Sequence, residues 1–335
     1  MNRILLPFVF ITLTACENFL IKEEPPNNQL NNFEIFWNDF DQHYSGFIVR
    51  DINWDSVRQA SIAKIETGLS EKEFFEMMKN ITLYFKDGHV GLKTSYERVF
   101  YDSSNPNSIN FIQSFSAYIE NFKHVNEAIS YGTIKSENIG YIKISTFTPT
   151  LSLSDFEVID KVLSNLSTTE GIIVDLRSNS GGEFAHHHAV LSRFIDKQLV
   201  SMKLQSRNGP NHDDFGPYIE GVISPQGPYQ YVNPVVILTN RRTASASELF
   251  TMALKDLENI TVIGDTTAGS IGYFIGRELP NGWVYSITTA LTSDRNGISY
   301  EGMGIPPDEV VWISKADSIN GIDTQLEKAI DWLEE

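Results

Sequence analysis

Pro234-Val235-Val236-Ile237-Leu238-Thr239-Asn240-Arg241-Arg242-Thr243-Ala244-Ser245-Ala246-Ser247-Glu248-Leu249-Phe250 is the stretch on which the reading of this chain turns. A short β-branched apolar run, closed by Asn-Arg-Arg and followed by Ala, Leu and Met at helical spacing through Leu254, predicts a buried strand, a tight turn and a helix. Ser245 then stands on the first turn of that helix. Backbone N–H groups there have no partner inside the helix, so the one after Ser245 can bind a developing oxyanion beside an exposed hydroxyl. Read alone, Thr243, Ser245 and Ser247 serve equally well as helix caps.

Outward from this stretch, strands and helices alternate: 139–144, a helix near 154–166, the apolar strand 171–176, a helix from about 183 to 195, strands near 200–205 and 261–264. Such alternation implies crossover connections and an α/β core whose mainly parallel sheet is covered by helices on both faces. Segments 271–277 and 283–291 read as later strands joined by the Pro280-Asn281-Gly282 turn. A closing helix at 323–333 carries Leu326, Ile330 and Leu333 on one stripe. Upstream, Phe33, Phe36, Trp37 and Phe40, then Phe74, Phe75, Met78 and Ile81, recur at helical spacing, and Ser70-Glu71-Lys72-Glu73 has the form of a capping box. They predict a small helical domain over 30–92. Phe111, Phe115, Tyr118 and Ile119 suggest short strands in a connecting segment, 93–136, before a core domain at 137–335.

The 335 residues suffice for a large core with a smaller unit beside it, and a net charge of −17 leaves no cationic field to attract nucleic acid. Asn2-Arg3 precedes an apolar run, 4–13, too short for a permanent membrane span; it reads as a signal peptide, 1–15. The single cysteine, Cys16, ends Leu13-Thr14-Ala15-Cys16, which resembles the bacterial lipobox. This predicts an exported lipoprotein of the cell envelope of a Gram-negative bacterium, lipidated at Cys16 and joined to its body by a polar tether, 16–29.

Three further stretches hold groups suited to chemistry. Asp175-Leu176-Arg177-Ser178-Asn179-Ser180-Gly181-Gly182 follows a buried strand, and loops at the carboxyl ends of parallel strands line the ligand crevice, so this loop is expected beside Ser245. Its glycines suit either an oxyanion site or a tight turn. His89 lies between glycines in Asp87-Gly88-His89-Val90-Gly91. Glu301 lies in a turn-rich segment, with Asp87 and Asp175 as competitors for orienting a histidine. His186-His187-His188 points in three directions on a helix and cannot converge on one metal ion.

Taken as a set, the 234–240 strand with Thr243 to Glu248, Asp175-Leu176-Arg177 with Gly181-Gly182, Gly264-Asp265-Thr266-Thr267-Ala268-Gly269, the helical region ending in Asp87-Gly88-His89-Val90 and the closing helix resemble the C-terminal processing (tail-specific) serine peptidases and the tricorn core, over roughly residues 30–333. The resemblance implies a ClpP/crotonase-like core, an acyl-enzyme on Ser245, and an oxyanion hole from the N–H groups of Ala246 and the Gly181-Gly182 turn. It implies no metal and no cofactor. The better-known branch carries a lysine base 25 positions after the nucleophile, where this chain has Ser270. The tricorn branch uses a histidine and a glutamate, and His89 and Glu301 occupy the matching places, Glu301 orienting His89 directly or through an intervening group. Tricorn's serine before the histidine is Gly88 here, so its assistance is absent or comes from elsewhere, Ser270 being a candidate. The 93–137 interval is about half of what a PDZ domain needs, which points to short peptides or loosely folded segments as substrates. The alternative is a weakly active or inactive binding protein of the same fold, holding a hydrophobic or peptide ligand. A Gly-x-Ser-x-Gly esterase motif is missing around Ser245.

Overall fold

The computed structural model describes residues 25–103 and 117–335. The expected signal peptide, Cys16, most of the tether, and Phe111 and Phe115 lie outside the described residues. Three helices come first, α1 (Gln29–His43), α2 (Trp54–Ile65) and α3 (Glu71–Tyr84), with a 3₁₀ turn at Ser45–Val49. The capping box forms at α3, where Glu73 accepts from the Ser70 backbone and Ser70 Oγ accepts from Glu73 N–H. Next come β1 (Gly91–Lys93), β2 (Arg98–Phe100), β3 (Ile119–His124), β4 (Ile129–Ile134), β5 (Ile139–Ile144), α4 (Ser154–Glu157), α5 (Ile159–Asn165), β6 (Gly171–Asp175) and α6 (Phe184–Leu191). The chain continues through β7 (Leu199–Ser206), β8 (Ile219–Ile223), β9 (Val235–Thr239), α7 (Ala246–Leu254), β10 (Ile260–Gly264), β11 (Tyr273–Glu278), β12 (Val284–Ser293), β13 (Glu309–Val310), α8 (Lys315–Asn320) and α9 (Thr324–Glu334).

The core sheet runs β13-β10-β9-β6-β5-β4-β3, parallel from β13 to β5 and antiparallel at its last two pairings. Alternate side chains of its strands serve opposite faces. Ile142, Ile172, Val174, Val235 and Ile237 pack with Val162 and Leu163 of α5, Val190 of α6 and Phe250 of α7. Tyr141, Ile173, Val236 and Leu238 pack with Leu326 and Ala329 of α9. Burial on both faces is why these strands read as unbroken apolar runs.

A second, antiparallel sheet, β2-β1-β12-β7-β8 with β11 on β12, was foreseen only in its β11–β12 hairpin. The strands paired in β1–β12 and β12–β7 lie far apart in the chain, so no local pattern announces those pairings. The three N-terminal helices pack on this sheet, Phe36, Phe40, Trp54 and Phe74 meeting Trp283, Tyr285 and Ile287. Two boundaries shift accordingly. The expected edge of the helical domain at 92 falls inside β1, and the expected connecting segment divides, β1 and β2 joining the second sheet while β3 and β4 extend the core sheet. The helix expected at 154–166 is broken into α4 and α5, and the one expected at 183–195 ends at Leu191.

Candidate active site

The turn between β9 and α7 is tied to the loop after β6. Thr243 Oγ1 accepts from Asn240 N–H and donates to Leu176 O, each at 3.0 Å, and Ala244 N–H donates to Asn179 O at 3.0 Å. Because β6 and β9 are parallel neighbours, their carboxyl ends must adjoin, as expected from the sequence. Ser245, partly exposed, has φ 55° and ψ −122°, backbone that a residue with a Cβ avoids at a cost of roughly 1–3 kcal/mol. Surrounding bonds hold it there. Its N–H is 3.0 Å from both Ser270 O and Glu248 Oε2.

Glu248 is the residue at this turn whose role the sequence reading missed. It is fully buried and accepts four bonds: Ser245 N–H, Ser270 N–H at 2.9 Å, Gly269 N–H at 2.7 Å and the Thr267 hydroxyl at 2.6 Å. Burial raises its pKa, and those four donors oppose the rise. The carboxylate thereby caps α7 from inside, through the N–H of the Ser245 N-cap. Ser247 Oγ is buried and makes no hydrogen bond among the described residues.

His89 comes from the turn between α3 and β1. Its N–H donates to Asp87 Oδ1 at 2.8 Å, its carbonyl accepts from Ser286 Oγ at 2.7 Å, and its ring stacks on Phe274 with centroids 4.7 Å apart. Nε2 lies 3.2 Å from Ser245 Oγ, across 156 positions of chain. Burial lowers the His89 pKa, Asp87 opposing and Arg50 adding to the effect, so the ring is neutral near pH 7 and can accept the hydroxyl proton.

Of the two arrangements expected for Glu301, direct contact with His89 or contact through an intervening group, the direct one is not made among the described residues. Glu301 Oε1 accepts from Arg50 Nη2 at 2.6 Å, and its Oε2 from Ile271 N–H at 2.9 Å and Gly272 N–H at 2.8 Å. Burial and the Asp87 charge push its pKa up, against Arg50 and the two backbone donors. Arg50, unremarked in the sequence, also approaches Asp87 Oδ2 at 3.7 Å. Asp87 Oδ2 further accepts from Tyr44 OH and Thr288 Oγ1, each at 3.0 Å. The third competitor, Asp175, is committed elsewhere: buried with Arg177, Lys143 and Tyr141, it is held by the two cations and their hydrogen bonds well below the carboxylate range despite burial. Arg177 continues to Asp323 on the threshold of α9. The Asp-Leu-Arg motif is thus a structural brace across the core sheet.

Of the three expected oxyanion donors, Gly181 is a correction, for its N–H donates to Asn179 Oδ1 at 2.9 Å. The N–H groups of Ala246 and Gly182 make no such bond among the described residues. Gly181 still matters sterically: at φ +89°, a Cβ there would lie 2.6 Å from Ala244 O and 2.8 Å from Ser245 Cβ. Gly88 leaves room for Ser270, whose Oγ fills the space a Cβ at 88 would enter and bonds Ser103 Oγ at 3.0 Å. His186 stacks on Phe156 and bonds Phe147 O, and burial depresses His187 to a pKa of about 3. No metal-holding cluster of three His, Cys, Asp or Glu side chains occurs among the described residues.

A hydroxyl on a strained strand-to-helix turn, within hydrogen-bond distance of a neutral imidazole and beside free N–H groups, is the layout that nucleophilic serine hydrolysis requires. Residues 138–311 match the family model described as peptidase family S41, and the chain belongs to that family. It is 30% identical over 175 residues to carboxy-terminal processing protease CtpA of Bacillus subtilis, covering 52% of this chain and 35% of that one. Tricorn protease of Thermoplasma acidophilum is 27% identical over 67% of this chain and 19% of its own. A crystal structure of a candidate peptidase from Parabacteroides merdae is 27% identical, with a TM-score of 0.83 over 92% of this chain and 98% of that one. The matched part of this chain spans 32% to 42% of the length of three of the processing proteases.

Proposed function

We propose that this chain is a serine endopeptidase that cleaves peptides or loosely folded segments through an acyl-enzyme on Ser245. His89 Nε2 takes the Ser245 proton as Oγ bonds to the scissile carbonyl carbon. The N–H groups of Ala246 and Gly182 receive the oxyanion. The C–N bond then breaks as His89 returns the proton to the leaving amine, and water, deprotonated by His89, hydrolyses the ester. Glu301 acts at one remove, fixing Arg50 and the 271–272 turn. The observation that carries the reading is the 3.2 Å approach of Nε2 to Oγ across 156 positions of chain, at a serine held with φ 55°. A binder has no use for that strain.

The names of the relatives, which are processing proteases, support the peptide substrate class. We extend the proposal to an envelope lipoprotein anchored through Cys16, checked by the mass of the mature N-terminus. The activity test is hydrolysis of unstructured peptides by wild type, Ser245→Ala and His89→Ala, followed by mass spectrometry, with a fluorophosphonate probe in parallel. Turnover should fall by on the order of 10⁴-fold or more in both variants, and the probe should label Ser245 alone. Equal turnover in all three proteins overturns the assignment.

A further inference from the structure

His89 has the Ser245 hydroxyl on Nε2, while Nδ1 is buried and meets no hydrogen-bond partner among the described residues. Glu301 spends its oxygens on Arg50 and the 271–272 backbone. The carboxylate adjoining the histidine is Asp87, fully buried, with Oδ1 on the His89 N–H and Oδ2 fixed by Tyr44 and Thr288. Among the described residues, the groups that meet this cluster come from several elements. Tyr44 and Arg50 come from the segment after α1, and Glu301 from its turn-rich loop. β11 and β12 contribute the uncharged Phe274, Ser286 and Thr288, and the turn before α7 contributes the Ser245 hydroxyl.

Within this set two carboxylates share one guanidinium, and the sharing is unequal: Arg50 is 2.6 Å from Glu301 and 3.7 Å from Asp87. Burial keeps Tyr44 protonated, so it adds a hydrogen bond and no charge. Glu301 is pushed up to about 7 by burial and the Asp87 charge and is matched by Arg50 at 2.6 Å, so the negative charge that faces His89 is chiefly that of Asp87. We propose that Asp87, not Glu301, is the acid serving His89: it positions the ring through the 87–89 turn, and its charge stabilises the imidazolium formed when Ser245 gives up its proton. Glu301 holds the Arg50 guanidinium on its own side of the cluster, at 2.6 Å against 3.7 Å from Asp87. The direction in which the charges act on His89, upward from Asp87 and downward from Arg50, agrees. The inference deepens the peptidase reading and rests on it.

The test reads His89 itself. In a Ser245→Ala background the full chain is labelled with ¹⁵N-histidine and the His89 imidazole is titrated by NMR, alone and with Asp87→Asn, Glu301→Gln or Arg50→Gln. Asp87→Asn should lower the His89 pKa by about one unit, Glu301→Gln by less than half of that, and Arg50→Gln should raise it. A merely structural role gives no such opposed signs. In the active enzyme, Asp87→Asn should reduce kcat on the order of 10²-fold with little change in KM and move the acid limb of the kcat/KM profile to lower pH. A Glu301→Gln shift as large as that of Asp87→Asn, the mark of a bridge from Glu301 to Nδ1, overturns the proposal, as does a fall with Arg50→Gln. Should Asp87→Asn fail to fold by near-ultraviolet circular dichroism, the other two variants decide: a shift above about half a unit for Glu301→Gln, or none upward for Arg50→Gln, overturns it. The titration needs no turnover, so an inactive wild type would sink the peptidase reading without touching this measurement.

Discussion

Replacing Glu248 by glutamine changes one heavy atom and no volume, yet the four donors around it cannot all be satisfied afterwards. Oε2 serves Ser245 N–H and Ser270 N–H; Oε1 serves Gly269 N–H and the Thr267 hydroxyl. An amide nitrogen in the Oε2 place would face two backbone donors. In the Oε1 place it faces one, Gly269, because Thr267 can turn its proton away and accept; its oxygen already takes Ile305 N–H at 2.7 Å and has a second lone pair. The amide therefore settles with its nitrogen toward Thr267, leaving one orphaned N–H, which costs about 1–3 kcal/mol. Glu248→Ala orphans three donors, since Ser245 N–H keeps Ser270 O, and opens a cavity, and should cost at least about 4 kcal/mol. Urea unfolding at pH 7, followed by tryptophan fluorescence and extrapolated to water, measures both. Fluorophosphonate labelling of Ser245 should survive in the glutamine variant, where Oε2 still joins the Ser245 and Ser270 N–H groups, and fail in the alanine one, where the Ser245 N–H keeps only its bond to Ser270 O. Equal destabilisation by the two substitutions, within about 0.5 kcal/mol, refutes the assignment of the cost to unsatisfied donors.

Gly181→Ala places a Cβ against Ala244 O and Ser245 Cβ at a left-handed φ, so stability should fall by about 1–3 kcal/mol and probe labelling of Ser245 by at least about tenfold, both read on the same preparation. His187 is the main acid-sensitive histidine: its folded pKa of about 3 lies below the ordinary value of 6.5, so below pH 6.5 the unfolded chain takes up a proton that the folded one refuses. Stability is then complete above that value and is lost as pH falls, by roughly 2 kcal/mol at pH 5. Urea midpoints at pH 7 and pH 5 should converge in His187→Leu relative to wild type, and an unchanged pH dependence would count against the buried neutral ring.

Much of the core was legible in the linear pattern because it is local. Strands buried on both faces declare themselves as apolar runs, as at β6 and β9, and the Ser70-Glu73 box and the Gly282 turn are written in consecutive residues. Ser245 and His89 were legible as isolated candidates, each beside a glycine-rich or turn-forming stretch. What the sequence could not determine is everything that depends on pairing across the chain. The second sheet joins β1 to β12 and β12 to β7, and none of those strands carries a mark of its partner. Arg50 looks like any arginine after a helix until folding brings Glu301 to it across 251 positions. The N–H of Gly181 looked available until the Asn179 side chain claimed it. Side-chain type and local period are properties of neighbours in sequence, whereas a hydrogen bond, a charge pair or a vacant donor is a property of neighbours in space, and only tertiary packing decides which acid stands beside His89.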